Sequence, residues 1–169
     1  MLLDTQAKRG MEEGMTRRQI LGGMLGALGL ALRGKQVAAA GEAVETLDLP
    51  KSEWKKRLPP EAYAVLLEEA TERAGSSPLD REKRPGTFLC AACMLPIFES
   101  SAKFDSGTGW PSFFRPIDGH VATRTDFKLI LPRTEYHCAR CGGHQGHVFD
   151  DGPAPTGLRY CNNGVALRF

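Results

Sequence analysis

Five cysteines are spread over the 169 residues, and their spacing sorts them into three groups. "CAAC" at 90–93 and "CARC" at 138–141 are one four-residue unit written twice, with 44 residues between the copies. Two intervening residues let both sulfurs of a unit face one point, so two units supply a tetrahedral set of four thiolates. Zinc is the first choice for such a set because it brings no redox chemistry of its own; iron is the alternative. Two disulfides, or two redox-active C-x-x-C units, are the competing readings. The long gap makes a metal at Cys90, Cys93, Cys138 and Cys141 a staple across a domain, with no open position for catalysis.

Cys161 is left over. It closes the stretch "GGHQGHVFDDGPAPTGLRYC", which also holds His144 and His147, then Asp150, Asp151 and Arg159. On a strand, residues two apart share a face, so Arg159, Cys161 and Asn163 are expected to point the same way. A guanidinium beside a thiol favours the thiolate, which is the nucleophile. The histidines could give or take a proton. A buried structural cysteine is the alternative reading of Cys161. These residues point to a reactive thiolate without naming its target.

The elements that must hold them are short. Ser52 could cap a helix in "SEWKKRL", with Trp54 and Leu58 on one face. Pro59-Pro60 ends that turn and opens a second helix, "EAYAVLLEEATERAG", with Tyr63, Leu66, Leu67 and Ala70 as its stripe and Gly75 as its stop. "SSPLDREKRPG" reads as a polar loop. From Thr87 onward the chain breaks into strand-like pieces between Gly, Pro, Asp and Asn: "TFLC", "LPIFE", "HVATRTDF", "KLILP", "TEYHC", "GHVF", "LRYC" and "VALRF". The expected fold is mainly β with an N-terminal helical arm.

The front of the chain has a different texture. Arg17 and Arg18 precede an apolar run, Ile20–Leu32, and Ala38-Ala39-Ala40 follows. That is the order of a signal peptide, and the arginine pair resembles a twin-arginine export signal. The division expected is 1–40 leader, 41–51 flexible lead-in and 52–169 catalytic domain. The run is too short to span a bilayer comfortably, so no stable membrane insertion is expected once the leader is gone. Without it the chain holds 16 basic and 17 acidic residues, which argues against nucleic acid as a partner. A monomer is the default.

On "CAAC", "KFDSGTGWPSFF", "CARC", "GHQGHVFDDGPAPTG" and "RYCNN…LRF", in that order, the chain resembles the B-type peptide methionine sulfoxide reductases. The resemblance runs from about Ser52 to Phe169. It implies two antiparallel sheets, a structural zinc, and attack by the Cys161 thiolate on the sulfur of a methionine R-sulfoxide in an oxidised protein. It places His144 and His147 around the sulfoxide oxygen, with Asp151 and Arg159 organising the site and Asn163 close to the cysteine. Trp110 becomes the apolar wall against the substrate methyl, and Phe149 is likewise assigned to substrate binding. Many members carry a second cysteine where Thr108 stands. Here the Cys161 sulfenic acid would need an external thiol, from a thioredoxin-like protein or a small molecule. Two other departures are Gln145, commonly Leu, and Gly164, commonly Ser, which could loosen the backbone beside Asn163. A zinc-stapled domain that only binds is the rival reading.

Overall fold

The computed structural model describes residues 43–128 and 131–169; the expected leader lies outside them. Residues 43–50 carry no regular structure but follow the body. There Leu47 N–H donates to the Arg140 carbonyl at 2.6 Å, and Val44 packs on the core. Helix α1 spans Lys51–Arg57 and buries Trp54. Its N-cap is Pro50, not Ser52, with an extended backbone (φ −63°, ψ 149°). The proline ring presets that φ, so the chain turns helical one residue after it and Ser52 falls in the first turn.

Helix α2 spans Pro60–Glu68 and stops well before Gly75. Glu69 ends it in a left-handed conformation (φ 55°), and its carboxylate bonds Arg124 and Lys128, far along the chain. Glu69 N–H on the Val65 carbonyl at 3.1 Å and Ala70 N–H on the Ala64 carbonyl at 3.0 Å close the helix as a left-handed C-cap does. The buried stripe is therefore Ala62, Val65 and Leu66, while Ala70 is exposed. Residues 70–76 become an arm over the strands instead of more helix. The expected polar loop carries one 3-10 turn, Pro78–Arg81, capped by the Ser77 hydroxyl.

Among the described residues nine short strands follow: β1 (Thr87–Cys90), β2 (Pro96–Glu99), β3 (Lys103–Phe104), β4 (Ser112–Phe113), β5 (Val121–Asp126), β6 (Arg133–Cys138), β7 (His144–Phe149), β8 (Arg159–Asn162) and β9 (Leu167–Arg168). They form two sheets, ordered β2-β1-β9 and β3-β4-β8-β7-β6-β5, and every pairing is antiparallel. The mainly β, two-sheet expectation is met. "KLILP" departs from it: Lys128, Leu131 and Pro132 lie outside any strand. Among the described residues no helix is long and apolar enough to cross a membrane.

Aromatic rings lock the sheets together. Phe98 of β2 lies flat on Phe113 of β4, centroids 3.9 Å apart, and Phe88 of β1 meets the same ring edge-on at 4.9 Å. Tyr136 and Tyr160 extend the cluster at 5.2 Å. All three phenylalanines and Tyr136 are fully buried. Phe113 is the neighbour of Ser112, which pairs directly with Cys161, so this core fixes the strand that carries the lone thiol.

Candidate active site and four-cysteine cluster

Cys161 sits on β8 between Ser112 of β4 and His147 of β7. It opens into a pocket of about 140 Å³ whose walls include Trp110, His147, Phe149 and Asn163. Gly146 makes the pairing possible: a Cβ there would overlap the Cys161 carbonyl, so only glycine lets β7 and β8 approach this closely.

Cys161, Asn162 and Asn163 all line the pocket, so facing does not alternate here as strand spacing predicts; Arg159 does not line it. Its guanidinium stacks on the Phe149 ring at 4.3 Å and is gripped by both Asp151 oxygens at 2.8 Å. From there it still favours the Cys161 thiolate, as does the Thr108 side chain, but burial outweighs both and pushes the thiol up. On residue types alone the guanidinium has the larger effect. Desolvation, which penalises a thiolate in a half-closed pocket, enters only with the fold.

The two histidines are three residues apart and would face opposite ways on a regular strand. A bulge changes that. His137 pairs with His144 but Tyr136 with Gly146, leaving Gln145 as the extra residue. The rings of His144 and His147 come within 5.3 Å, edge to face. His147 reaches the pocket and its Nε2 bonds Asp126 Oδ2 at 2.8 Å. Burial holds its pKa below the ordinary value against the pull of that carboxylate. Asp126 also accepts from Arg133 at 2.6 Å. Its carboxyl lies well below the usual range, chiefly because it accepts the Lys128 N–H, then through His147 and Arg133. His144 is buried away from the pocket walls, with Nδ1 on Glu135 Oε1 at 2.7 Å.

Three carboxylates at the site, Asp126, Glu135 and Glu72, carry no signal in the sequence. Asp126 and Glu135 lie inside segments that read only as strands, and their partners are 21 and 9 residues away. Glu72 reads as part of a helix tail. In the 70–76 arm it becomes a clamp: its carboxylate accepts Gly164 N–H at 2.6 Å and Val165 N–H at 3.0 Å. Its carbonyl accepts the Trp110 indole at 3.2 Å, and its N–H donates to Asn163 Oδ1 at 3.0 Å. Gly164 is thus pinned, not loosened, and Ser77 occupies the space a side chain would need. Trp110 is held as a pocket wall rather than buried as core.

The four other cysteines converge. Each C-x-x-C unit is the turn of a hairpin, β1–β2 in one sheet and β6–β7 in the other. The turns share one hydrogen-bond pattern: Met94 N–H to the Cys90 carbonyl and Gly142 N–H to the Cys138 carbonyl, both 2.9 Å. Met94 and Gly142 both take φ > 0, at 61° and 68°. All four sulfurs lie within 4.8 Å of one another, with Cys93–Cys138 at 3.5 Å and Cys90–Cys141 at 3.7 Å. A tetrahedron with metal–sulfur bonds of about 2.3 Å needs edges of about 3.8 Å, so the set fits a metal. All five cysteines are free, and these separations are far beyond a disulfide bond of about 2.05 Å. Crowded together, the sulfurs share protons: bonds to Cys138 come first in drawing Cys93 down and pushing Cys90 up. A divalent cation would let all four ionise.

A SelR domain model matches residues 58–169. The chain belongs to the SelR domain family. Peptide methionine sulfoxide reductase MsrB of Bradyrhizobium diazoefficiens is 52% identical over 119 residues, covering 70% of this chain and 86% of that protein. Peptide methionine sulfoxide reductase B1, chloroplastic, of Arabidopsis thaliana is 51% identical over 128 residues, 75% of this chain. This SelR chain spans only 63% of the plant protein's length. MsrB of Leptospira interrogans is 49% identical over 118 residues, covering 69% of this chain and 90% of its own.

Proposed function

We propose that this SelR domain reduces peptide-bound methionine sulfoxide through a thiol, acting on the R epimer with Cys161 as nucleophile. The observation that carries the proposal is the lone thiol in an aromatic-walled pocket beside His147, in a chain about half identical to proteins named for that activity. Trp110 and Phe149 supply the apolar surface that a methyl group prefers, and the clamp at Glu72 keeps Trp110 in place. His147 donates a proton to the sulfoxide oxygen, a poor leaving group until protonated. His144 steadies the His147 ring, Arg159 with Asp151 favours the thiolate, and Asn163 borders the sulfur. The Cys161 sulfur loses two electrons to the substrate sulfur and keeps the oxygen as a sulfenic acid, while methionine leaves. Two equivalents of an external thiol then return the cysteine, releasing water and a disulfide.

Zinc is the metal proposed for Cys90, Cys93, Cys138 and Cys141, where it would join the hairpins without redox chemistry. The twin-arginine-like leader supports export, so the proposed setting is periplasmic, with oxidised proteins there as substrates and a thioredoxin-like reductant. Separated R and S epimers of a blocked methionine sulfoxide, with dithiothreitol as reductant and Cys161→Ser as control, test the reading. Turnover of the R epimer alone, lost in the control, is expected. Folded, zinc-loaded protein that turns over neither epimer would sink it.

A further inference from the structure

Gln145 is the bulged residue of β7, and none of its side chain reaches solvent. A fully buried amide has two N–H donors and an oxygen to satisfy, so an apolar residue of similar size would be the cheaper filling. Its Nε2 lies 3.4 Å from Cys90 Sγ, and its Oε1 meets no partner among the described residues. A metal-bound thiolate can only accept, so the donor end of the amide must face it, which is the orientation present. Through its backbone the same residue holds Asn163, which lines the pocket. Its carbonyl accepts both the Asn163 N–H at 2.9 Å and the Asn163 Nδ2 at 3.0 Å, two residues from Cys161.

We infer that Gln145 is a positioning residue of the metal site, donating an N–H···S hydrogen bond to the Cys90 thiolate while its carbonyl holds Asn163. Through it the four-cysteine cluster and the reactive pocket share one residue. Hydrogen bonds to a ligating thiolate disperse its charge and fix its direction, and loss of such an outer contact typically weakens metal binding by roughly ten- to a hundredfold. The orphaned Oε1 costs stability that an apolar side chain would not. Gln145→Leu should therefore loosen the metal even though it removes a buried unpaired oxygen. A residue that merely filled space would leave metal retention unchanged.

The experiment uses the full chain loaded with zinc, competed against a chromophoric chelator, and with cobalt(II), whose thiolate-to-metal absorption reports sulfur donation. Gln145→Leu should give up zinc roughly ten- to a hundredfold more readily and shift the cobalt band to lower energy. Gln145→Met, which keeps length and adaptability without the donor, serves if Leu misfolds and should behave alike. Asn163→Ala, which frees the Gln145 carbonyl from one bond, should loosen zinc by a smaller factor. In a Gln145→Leu background it should have no further effect, as expected of coupled positions. Variants that hold zinc as tightly as the parent, with the cobalt band unmoved, would overturn the inference, as would a parent that binds neither ion. Additive effects of the two substitutions would overturn the shared-residue part. None of these readouts depends on sulfoxide turnover.

Discussion

Asp126→Asn isolates the electrostatics of His147, the proposed proton donor. The carboxylate bonds His147 Nε2 at 2.8 Å, and neither side chain is more than 13% exposed. Charge centres about 4 Å apart interact by about 1 kcal/mol in water and about 4 kcal/mol at an effective dielectric of 20. Arg133 shares the carboxylate at 2.6 Å and cancels part of this, so losing the charge should lower the His147 pKa by about one to two units. The consequence for rate depends on the order of the two pKa values. Burial already holds His147 low and pushes Cys161 up, so the thiolate–imidazolium pair is a minority state at every pH. Its maximal population scales with the gap between the two values. Each unit lost from His147 should cut the plateau of kcat/KM about tenfold and move the acid limb down by the same unit, leaving the alkaline limb in place. NMR titration of the His147 ring, beside pH–rate profiles of both proteins, measures all three quantities. An Asn variant whose His147 midpoint stays put while turnover collapses would refute the reasoning.

Three further outcomes are expected. Cys138→Ser, or exhaustive chelation, should unfold or drastically destabilise the domain, because structural metal binding worth on the order of 10 kcal/mol is folding energy here; thermal melts with and without metal check it. Glu72→Ala should cost about 2–4 kcal/mol in urea unfolding by orphaning the Gly164 and Val165 N–H groups. Burial raises the Glu72 carboxyl, so its proton-linked contribution is full below the unfolded pKa and lost as pH rises through the higher folded value. Glu72→Gln should remove that dependence but destabilise at every pH, because its single amide oxygen can accept only one of the two N–H groups that Oε1 and Oε2 hold. Thr108→Cys should turn a dimedone-trappable sulfenic acid on Cys161 into an internal disulfide after one equivalent of sulfoxide, since the Thr108 side chain is near enough to affect that thiol. Undiminished dimedone labelling in that variant would show the loop holds the new sulfur out of reach.

The strands most legible in the sequence are those bounded by turn residues: β1 and β6 each run into a C-x-x-C turn. The four-cysteine cluster was legible because its ligand spacing is local within each turn. Strands β3 and β4, two residues each, give no periodicity to read. The end of α2 was misplaced because Glu69 closes the helix in a left-handed backbone, which a glutamate in the sequence does not signal. At the site, Cys161, His147 and Asn163 were readable from residue type and spacing. Asp126, Glu135 and Glu72 were not, because each acts on a strand or loop distant in sequence. The thiol's raised pKa was hidden for another reason: burial is a property of the assembled pocket.

Placing both cysteine pairs in hairpin turns has a kinetic consequence. Each turn can form locally on the microsecond scale, before the sheets meet, and presents two sulfurs as a half-made chelate. Joining the halves closes a long loop, from Cys93 round to Cys138, whose entropy cost grows only slowly with length. A metal held by both turns would offset that cost and tie β1 to β6, one strand from each sheet.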